Sequence, residues 1–166
     1  MPRLVIAVIG AGECDDAVAA DAYQVGRLIA ERGAILVTGG RTGVMEAASR
    51  GARDAGGLVV GILPGLDPAE ANDAVEFALP TGMGQLRNGL VVISAQAVIA
   101  VSGGWGTLSE IGFARKLGKP VIGLNTWTVA APGDGDESSD ESRDQSIVRA
   151  ANPTEAAQHA FLLCEE

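Results

Sequence analysis

Short apolar runs recur along the chain, and glycine, proline or polar residues end each of them. Continuous apolar runs of this length are typical of strands buried on both faces of a parallel sheet. The pattern predicts strands at residues 4–9, 34–37, 58–63, 74–79, 97–101 and 120–124, with a short last strand at 147–148.

Between these strands, apolar residues recur at helical spacing. Asp15 or Asp16 is the expected N-cap of the first helix, and Asn152 precedes the last. The predicted helices cover residues 16–32, 44–55, 85–94, 107–117 and 156–164. Alternating strands and helices predict right-handed βαβ units in a single Rossmann-like α/β domain over residues 1–166. We therefore expect a doubly wound parallel sheet with helices on both faces.

One segment breaks this alternation. Residues 134–144 contain six acids and one base, with glycine and serine as most of the remainder. This composition predicts a solvated, disordered loop at 132–146 inserted in the domain.

The formal charge of -9 disfavours nucleic acid or an anionic membrane as a partner. No apolar run approaches the roughly 20 residues of a membrane span, and the first run is too short for a signal peptide. We expect a cytoplasmic protein. Cys14 and Cys164 lack metal or redox spacing, so no metal site is predicted.

Three glycine-rich turns each follow a predicted strand and precede a predicted helix, at residues 10–12, 39–43 and 103–106. Such turns bring backbone N–H groups and a helix N-terminus close to a bound anion. In an open α/β sheet they share the carboxyl edge, where ligands bind. Any one turn could serve packing alone, but three at one edge favour a phosphate-bearing ligand.

Two common phosphate sites do not fit. The first turn has Asp15 where G-x-G-x-x-G needs its third glycine, and the second strand ends in Thr38-Gly39-Gly40 rather than in an acid for the ribose. The sequence also lacks G-x-x-x-x-G-K-[ST]. Neither a standard dinucleotide site nor a Walker-type nucleotide site is therefore expected.

The turns supply most of the candidate site. Trp105 could stack on a base or shield the turn, and Arg87 suits a phosphate because its guanidinium binds two oxygens at once. Glu110 is either half of a capping box with Thr107 or a carboxylate beside the anion site. The candidate ligand-binding residues are Gly39, Gly40, Arg41, Thr42, Gly43, Gly103, Gly104, Trp105, Gly106 and Thr107.

The combination of Gly39-Gly40-x-x-Gly43, Arg87 and Gly103-Gly104-x-Gly106-Thr107-x-x-Glu110 resembles the "lonely guy" (LOG) superfamily of Rossmann-like proteins. The resemblance covers some three quarters of the chain. In the cytokinin-activating members, the matching arginine and glutamate serve a phosphoribohydrolase reaction that frees a base from a nucleoside 5′-monophosphate. The resemblance implies those catalytic roles for Arg87 and Glu110.

Two departures point to another branch. The proline of the LOG motif is Ser102 here, and the usual lysine after the arginine is Asn88. These residues are closer to a branch that resembles molybdenum cofactor carrier proteins. That branch implies a homodimer or larger oligomer that binds a molybdopterin-type cofactor or a nucleotide as its ligand. The resemblance thus implies a carrier first, with a nucleoside 5′-monophosphate phosphoribohydrolase as the alternative.

Overall fold

The computed structural model describes residues 2–129 and 147–165. The predicted acidic loop at 132–146 lies outside the described residues. The strands are β1 (Val5–Gly10), β2 (Ile35–Thr38), β3 (Val59–Leu63), β4 (Phe77–Pro80), β5 (Ala97–Val101), β6 (Val121–Leu124) and β7 (Val148–Arg149). The helices are α1 (Asp16–Glu31), α2 (Val44–Asp54), α3 (Asn88–Ile93), α4 (Trp105–Lys116) and α5 (Pro153–Glu165), with short 3-10 turns at Pro68–Glu70 and Gly84–Arg87.

The seven strands form one sheet in the order β4-β3-β2-β1-β5-β6-β7, and every neighbouring pair is parallel. The chain moves outward from β1 to β4, then crosses back to place β5 on the other side of β1. Strand order therefore reverses between β1 and β5, where open α/β sheets bind ligands beyond the strand ends. The predicted Rossmann-like α/β fold is confirmed.

Alternate residues of the central strands enter two separate cores. Ile6 and Val8 of β1 pack in the layer that contains α1, α2 and α5. Ala7 and Ile9 pack in the layer that contains α3 and α4. Helices therefore cover both faces of the sheet, which explains why the strands are apolar throughout.

The start of α4 differs from the prediction. The helix begins at Trp105, two residues before the expected start at Thr107, because the extended backbone of Gly104 forms the N-cap and its carbonyl accepts from Leu108 N at 3.1 Å. Thr107 is thus the third helical residue, and its buried side chain packs beneath Gly103. The expectation of a Thr107–Glu110 capping box is wrong.

The segment before β5 also differs. The helix predicted over 85–94 is a 3-10 turn at Gly84–Arg87 that runs directly into α3. Arg87 lies at this junction, where the chain changes from 3-10 to α-helical. The strand predicted at 74–79 begins at Phe77, because Asn72 holds Ala74 and Val75 in a turn through its side-chain and backbone oxygens.

Candidate functional site

A cavity of about 430 Å³ opens at the carboxyl ends of the central strands. Its wall includes parts of all three predicted glycine turns, and the end of β1 forms its floor. The lining residues are Val8, Ile9, Gly10, Ala11, Gly12, Gly39, Arg41, Met45, Pro64, Gln85, Arg87, Asn88, Gly104, Gly106, Thr107 and Glu110. The cavity therefore lies at the position where the reversal of strand order predicts a ligand.

The N-terminus of α4 presents backbone donors to this cavity. No side chain caps the helix at Gly104. Within the described residues, no acceptor is bound to the N–H groups of Trp105, Gly106 and Thr107. Unsatisfied donors and the positive end of the helix dipole both favour an anion at this point.

Arg87 places a buried cation in the same cavity. Its side chain is 6% exposed, and Nη2 donates to Gly39 O at a long 3.4 Å. Nη1 donates to the side-chain oxygen of neighbouring Asn88. Nε is buried and has no hydrogen-bond partner in the part of the chain that the structure describes. Burial lowers the pKa of Arg87, with Glu110 opposing and Arg41 adding to that effect. The guanidinium is thus desolvated and incompletely paired, which is costly unless a ligand supplies acceptors.

Glu110 lies one helical turn beyond the uncapped donors and is 8% exposed. Burial raises the pKa of its carboxyl to about 8, although the positive charge of Arg87 acts in the opposite direction. The ion pairs in the described part of the chain involve other side chains. Glu110 is therefore a largely neutral carboxylic acid near pH 7, beside a buried arginine but not ion-paired with it.

Gly39 leaves space for Arg87. A Cβ at Gly39 would lie 2.7 Å from Arg87 Nη2 and 2.6 Å from Met45 Sδ. Even an alanine methyl would push the guanidinium from its position. The absence of a side chain at Gly39 therefore allows the guanidinium of Arg87 to pack against its backbone.

Several polar groups in the rest of the 39–43 turn are bonded to other parts of the protein. Gly40 N donates to Thr38 Oγ1 at 3.0 Å, and Thr42 Oγ1 donates to Gly12 O at 2.8 Å. Arg41 lines the cavity but forms a half-exposed ion pair with Glu70 at 2.9 Å. Gly40, Thr42 and Gly43 do not line the cavity.

Two predicted residues of the 103–107 turn also lie off the cavity wall. Gly103 has a φ of 121° and packs on Thr107. The side chain of Trp105 is 78% exposed, and its ring centroid lies 5.1 Å from that of Trp127. Trp127 Nε1 donates to Gly104 O at 3.1 Å.

Trp127, Gln85 and Met45 belong to the site region but were not predicted from the sequence. Trp127 follows β6, so it lies at the same sheet edge as the glycine turns. The strand predicted at 120–124 already implies this position. Gln85 and Met45 both line the cavity. No motif distinguishes Gln85 from a packing residue, and Met45 belongs to the motif that begins at Gly39 but was given no role of its own.

Neither a membrane-spanning helix nor a metal-binding cluster is found in the described residues. Residues 2–129 and 147–165 contain no helix both long and apolar enough to cross a membrane. The same residues contain no cluster of three or more metal-ligating side chains.

A Rossmann-like sheet with a glycine-lined cavity at its point of strand reversal is shared by many proteins that bind nucleotides or other phosphorylated ligands. The family model of the SLOG cluster4 family matches residues 3–157. The chain belongs to this family, and the resemblance to the LOG superfamily is confirmed.

Three similar proteins extend the comparison. An uncharacterized protein of Archaeoglobus fulgidus is 50% identical over 124 residues, which cover 75% of this chain and 82% of that protein. The molybdenum cofactor binding protein of the phototrophic bacterium Rippkaea orientalis superposes with a TM-score of 0.85 at 37% identity, covering 98% of each chain. The cytokinin riboside 5′-monophosphate phosphoribohydrolase of Mycobacterium tuberculosis is 32% identical over 116 residues, covering 64% of this chain and 62% of that enzyme.

Proposed function

We propose that this protein binds a phosphorylated small molecule, a nucleotide or a molybdopterin-type cofactor, and serves as its carrier. The observation that carries the proposal is the meeting of two unsatisfied features in one cavity. Arg87 is buried with Nε unpartnered, and the first N–H groups of α4 have no acceptor among the described residues. A phosphate supplies oxygens to both, because it is anionic and accepts several hydrogen bonds at once.

Glu110 is compatible with the binding of an anionic ligand. With a pKa of about 8, its carboxyl is largely protonated near pH 7 and adds little negative charge beside a bound phosphate. A neutral carboxyl can donate a hydrogen bond to an anionic ligand. A neutral carboxyl does not stabilise a developing positive charge on a sugar as a carboxylate does, although it can protonate a leaving base as a general acid. Asn88 adds no positive charge to the cavity wall, where LOG enzymes usually have a lysine. The buried positive charge of the wall is that of Arg87, since Arg41 is paired with Glu70.

The similarity to the Rippkaea orientalis protein supports the carrier proposal. It extends over 98% of both chains, with a TM-score of 0.85 and 37% identity. By this comparison, the ligand to test first is molybdenum cofactor, followed by nucleoside monophosphates.

The second candidate is a nucleoside 5′-monophosphate phosphoribohydrolase. The observation that favours it is that Arg87 and Glu110 line one cavity although 23 positions separate them in the numbering. In this reaction water would replace the base at the sugar carbon, giving free base and ribose 5-phosphate. The phosphate would bind the α4 N-terminus, as it does in the carrier proposal.

One experiment separates the two functions. The protein is incubated with a panel of nucleoside 5′-monophosphates, and free base is measured by chromatography. Its melting temperature is measured in parallel with the same nucleotides and with molybdenum cofactor extracted from a molybdoenzyme. A ligand-dependent increase in melting temperature without base release supports the carrier. Base release that is abolished by Glu110→Ala establishes the hydrolase. The absence of both signals would contradict both functions.

We also propose that the protein forms a homo-oligomer through the outer surface of α3 and α4. Leu86, Ile93 and Leu117 are exposed large apolar side chains on or beside these helices. Exposed apolar side chains that lie together are a common feature of subunit contacts. Light scattering on a size-exclusion column would test this by giving the mass in solution, and a monomer would contradict it.

A further inference from the structure

Trp105 is an exposed aromatic ring at the start of the helix that presents the free donors. Most of its side chain lies in solvent, although an indole ring is among the largest apolar groups a protein can bury. Its two neighbours, Gly104 and Gly106, both line the cavity. The backbone of Trp105 is therefore flanked on both sides by residues of the cavity wall.

The ring is held against a second tryptophan. The centroids of Trp105 and Trp127 lie 5.1 Å apart with the ring planes inclined by 38°. This spacing is within the range of favourable aromatic pairs. Trp127 in turn donates from Nε1 to the carbonyl of Gly104, the N-cap of α4. The pair is thus attached to the same turn that carries the backbone donors.

The segment that carries Trp127 is tied to this turn at a second point. The hydroxyl of Thr126 donates to the carbonyl of Ser102. Ser102 and Asn125 are the described non-glycine residues with positive φ, at 53° and 52°. These two side-chain hydrogen bonds, together with the one from Ser102 N to Leu124 O, connect the end of β6 to the end of β5 and fix the orientation of the ring that supports Trp105.

We propose that Trp105, supported by Trp127, is a stacking surface for a planar heterocyclic ring of the ligand, and that it selects ligands in which such a ring is joined to a phosphate. The inference rests on the proposed function, because the phosphate must bind the N-terminus of α4. Stacking needs one open ring face and tolerates purines and pterins alike, since each has a π-face. Arg87 and the helix donors then recognise the phosphate, and Trp105 recognises the ring.

The test compares two probes that share a phosphate and differ in the ring. Guanosine 5′-monophosphate has both groups, and ribose 5-phosphate has no heterocycle. Isothermal titration of the full chain with each probe gives four affinities for the wild type and Trp105→Ala. Trp105→Tyr keeps an aromatic ring, and Phe77→Ala removes another half-exposed aromatic residue at the β4 edge of the sheet.

We expect Trp105→Ala to weaken guanosine 5′-monophosphate binding roughly tenfold and to leave ribose 5-phosphate binding within about twofold. Trp105→Tyr should retain most of the affinity, and Phe77→Ala should change neither probe. Because the chain has two tryptophans, at 105 and 127, the nucleotide should also quench the intrinsic fluorescence. Ribose 5-phosphate should not.

Other outcomes overturn the inference. Equal losses for both probes would mean that Trp105 acts through the turn rather than on the ring. Unchanged affinities would mean that the ring does not bind there, while the proposed function stands. A lower molecular mass of Trp105→Ala in solution would assign the residue to a subunit contact. If the wild type binds neither probe, binding of this ligand class fails together with the stacking surface.

Discussion

The 39–43 turn and the 102–107 turn face the same cavity, but their polar groups are used differently. In the 39–43 turn, Gly40 N donates to Thr38, Thr42 donates to Gly12, and Arg41 pairs with Glu70. The N–H groups of Thr42 and Gly43 have no acceptor among the described residues, but these two residues do not line the cavity. In the 102–107 turn, the carbonyls of Ser102 and Gly104 accept from Thr126 and Trp127. Its helix-starting N–H groups have no acceptor among the described residues.

The difference separates two kinds of glycine-rich turn that look alike in sequence. In one, the polar side chains are bonded within the protein, and the open N–H groups of Thr42 and Gly43 lie off the cavity wall. The other is held in place through its carbonyls and leaves its donors open, so an anion can complete it. Arg87 joins the two, because it lies against Gly39 and faces the cavity. We therefore expect substitutions on the 102–107 side to change binding, and those on the 39–43 side to change stability.

The largest expected effect is from Arg87→Gln. Removing a buried cation from a phosphate site should weaken binding of guanosine 5′-monophosphate roughly a hundredfold, since charge-assisted bonds contribute about 1.5–3 kcal/mol each. The ligand-free protein should melt at the same temperature or higher, because a desolvated, incompletely paired charge is lost. Titration calorimetry and thermal unfolding measure the two effects.

Arg41→Gln is the matched control, since Arg41 lines the same cavity but is paired with Glu70. It should weaken binding less than about threefold, because the charge that it removes is already neutralised by a carboxylate. Equal losses for the two arginines would remove the distinction between the turns.

The second-largest loss of affinity, about tenfold, is expected from Gly106→Ala. The added Cβ meets Asn88 Nδ2 at 3.8 Å, an ordinary contact, so the methyl fits the fold but occupies space at the cavity wall. Stability should rise by roughly 0.5–1 kcal/mol, because alanine is favoured over glycine in a helix. Titration and chemical denaturation test the two parts separately.

Gly112→Ala provides the control within the same helix. Gly112 is exposed, and an added methyl group there would extend into open space, so this variant should gain similar stability and bind normally. If Gly106→Ala also binds normally, the start of α4 does not hold the ligand.

The third effect is a pH dependence centred on Glu110. Its carboxyl has a pKa of about 8 in the folded protein, against an ordinary 4.5. It is protonated below about 8 and becomes a carboxylate above it, where it repels an anionic ligand. Affinity should therefore fall severalfold between about pH 7 and pH 9.5, and Glu110→Gln should flatten this profile. A wild-type profile that rises with pH would contradict the assignment.

The stability of the ligand-free protein should also decrease as the pH rises. Between pH 4.5 and about 8 the folded chain keeps a proton on Glu110 that the unfolded chain has released. Stability should therefore fall as pH rises through this window, by at most about 1.4 kcal/mol per pH unit. Denaturation at several pH values, with Glu110→Gln as the reference, measures the difference.

The smallest effect on binding should come from Thr42→Val. This change removes the hydrogen bond from Thr42 Oγ1 to Gly12 O and should cost about 1 kcal/mol of stability. The side chain does not line the cavity, so affinity should not change. A loss of binding without a loss of stability would place the ligand on the 39–43 turn.

The sequence predicts the bounds of an element correctly where the residue pattern that marks it is continuous and local. Both bounds of β5 were predicted, because residues 97–101 form an uninterrupted apolar run. Of the two predicted candidates for the first N-cap, Asp15 and Asp16, the cap is Asp15, whose side chain accepts from Val18 N. The start of α4 was missed because Gly104 caps the helix through its backbone and has no side chain that signals it.

The site depends more on long-range packing. Gly39 and Arg87 are 48 positions apart, and their contact follows from how the chain crosses from β4 to β5. The pairing of Trp127 with Trp105 follows likewise from the position of β6 beside β5. The motif predicted that Glu110 would lie near an anion site, but its burial, and therefore its raised pKa, depends on the packing around it.

The most direct test of the distinction between the turns is a backbone amide NMR titration with ribose 5-phosphate. We predict that the largest chemical-shift changes occur at the N–H groups of Trp105, Gly106 and Thr107, with small changes at residues 40–43. A phosphate held by the 39–43 turn would reverse that order. Either the reversed order or the absence of saturable changes at residues 105–107 would contradict the claim that the start of α4 binds the phosphate.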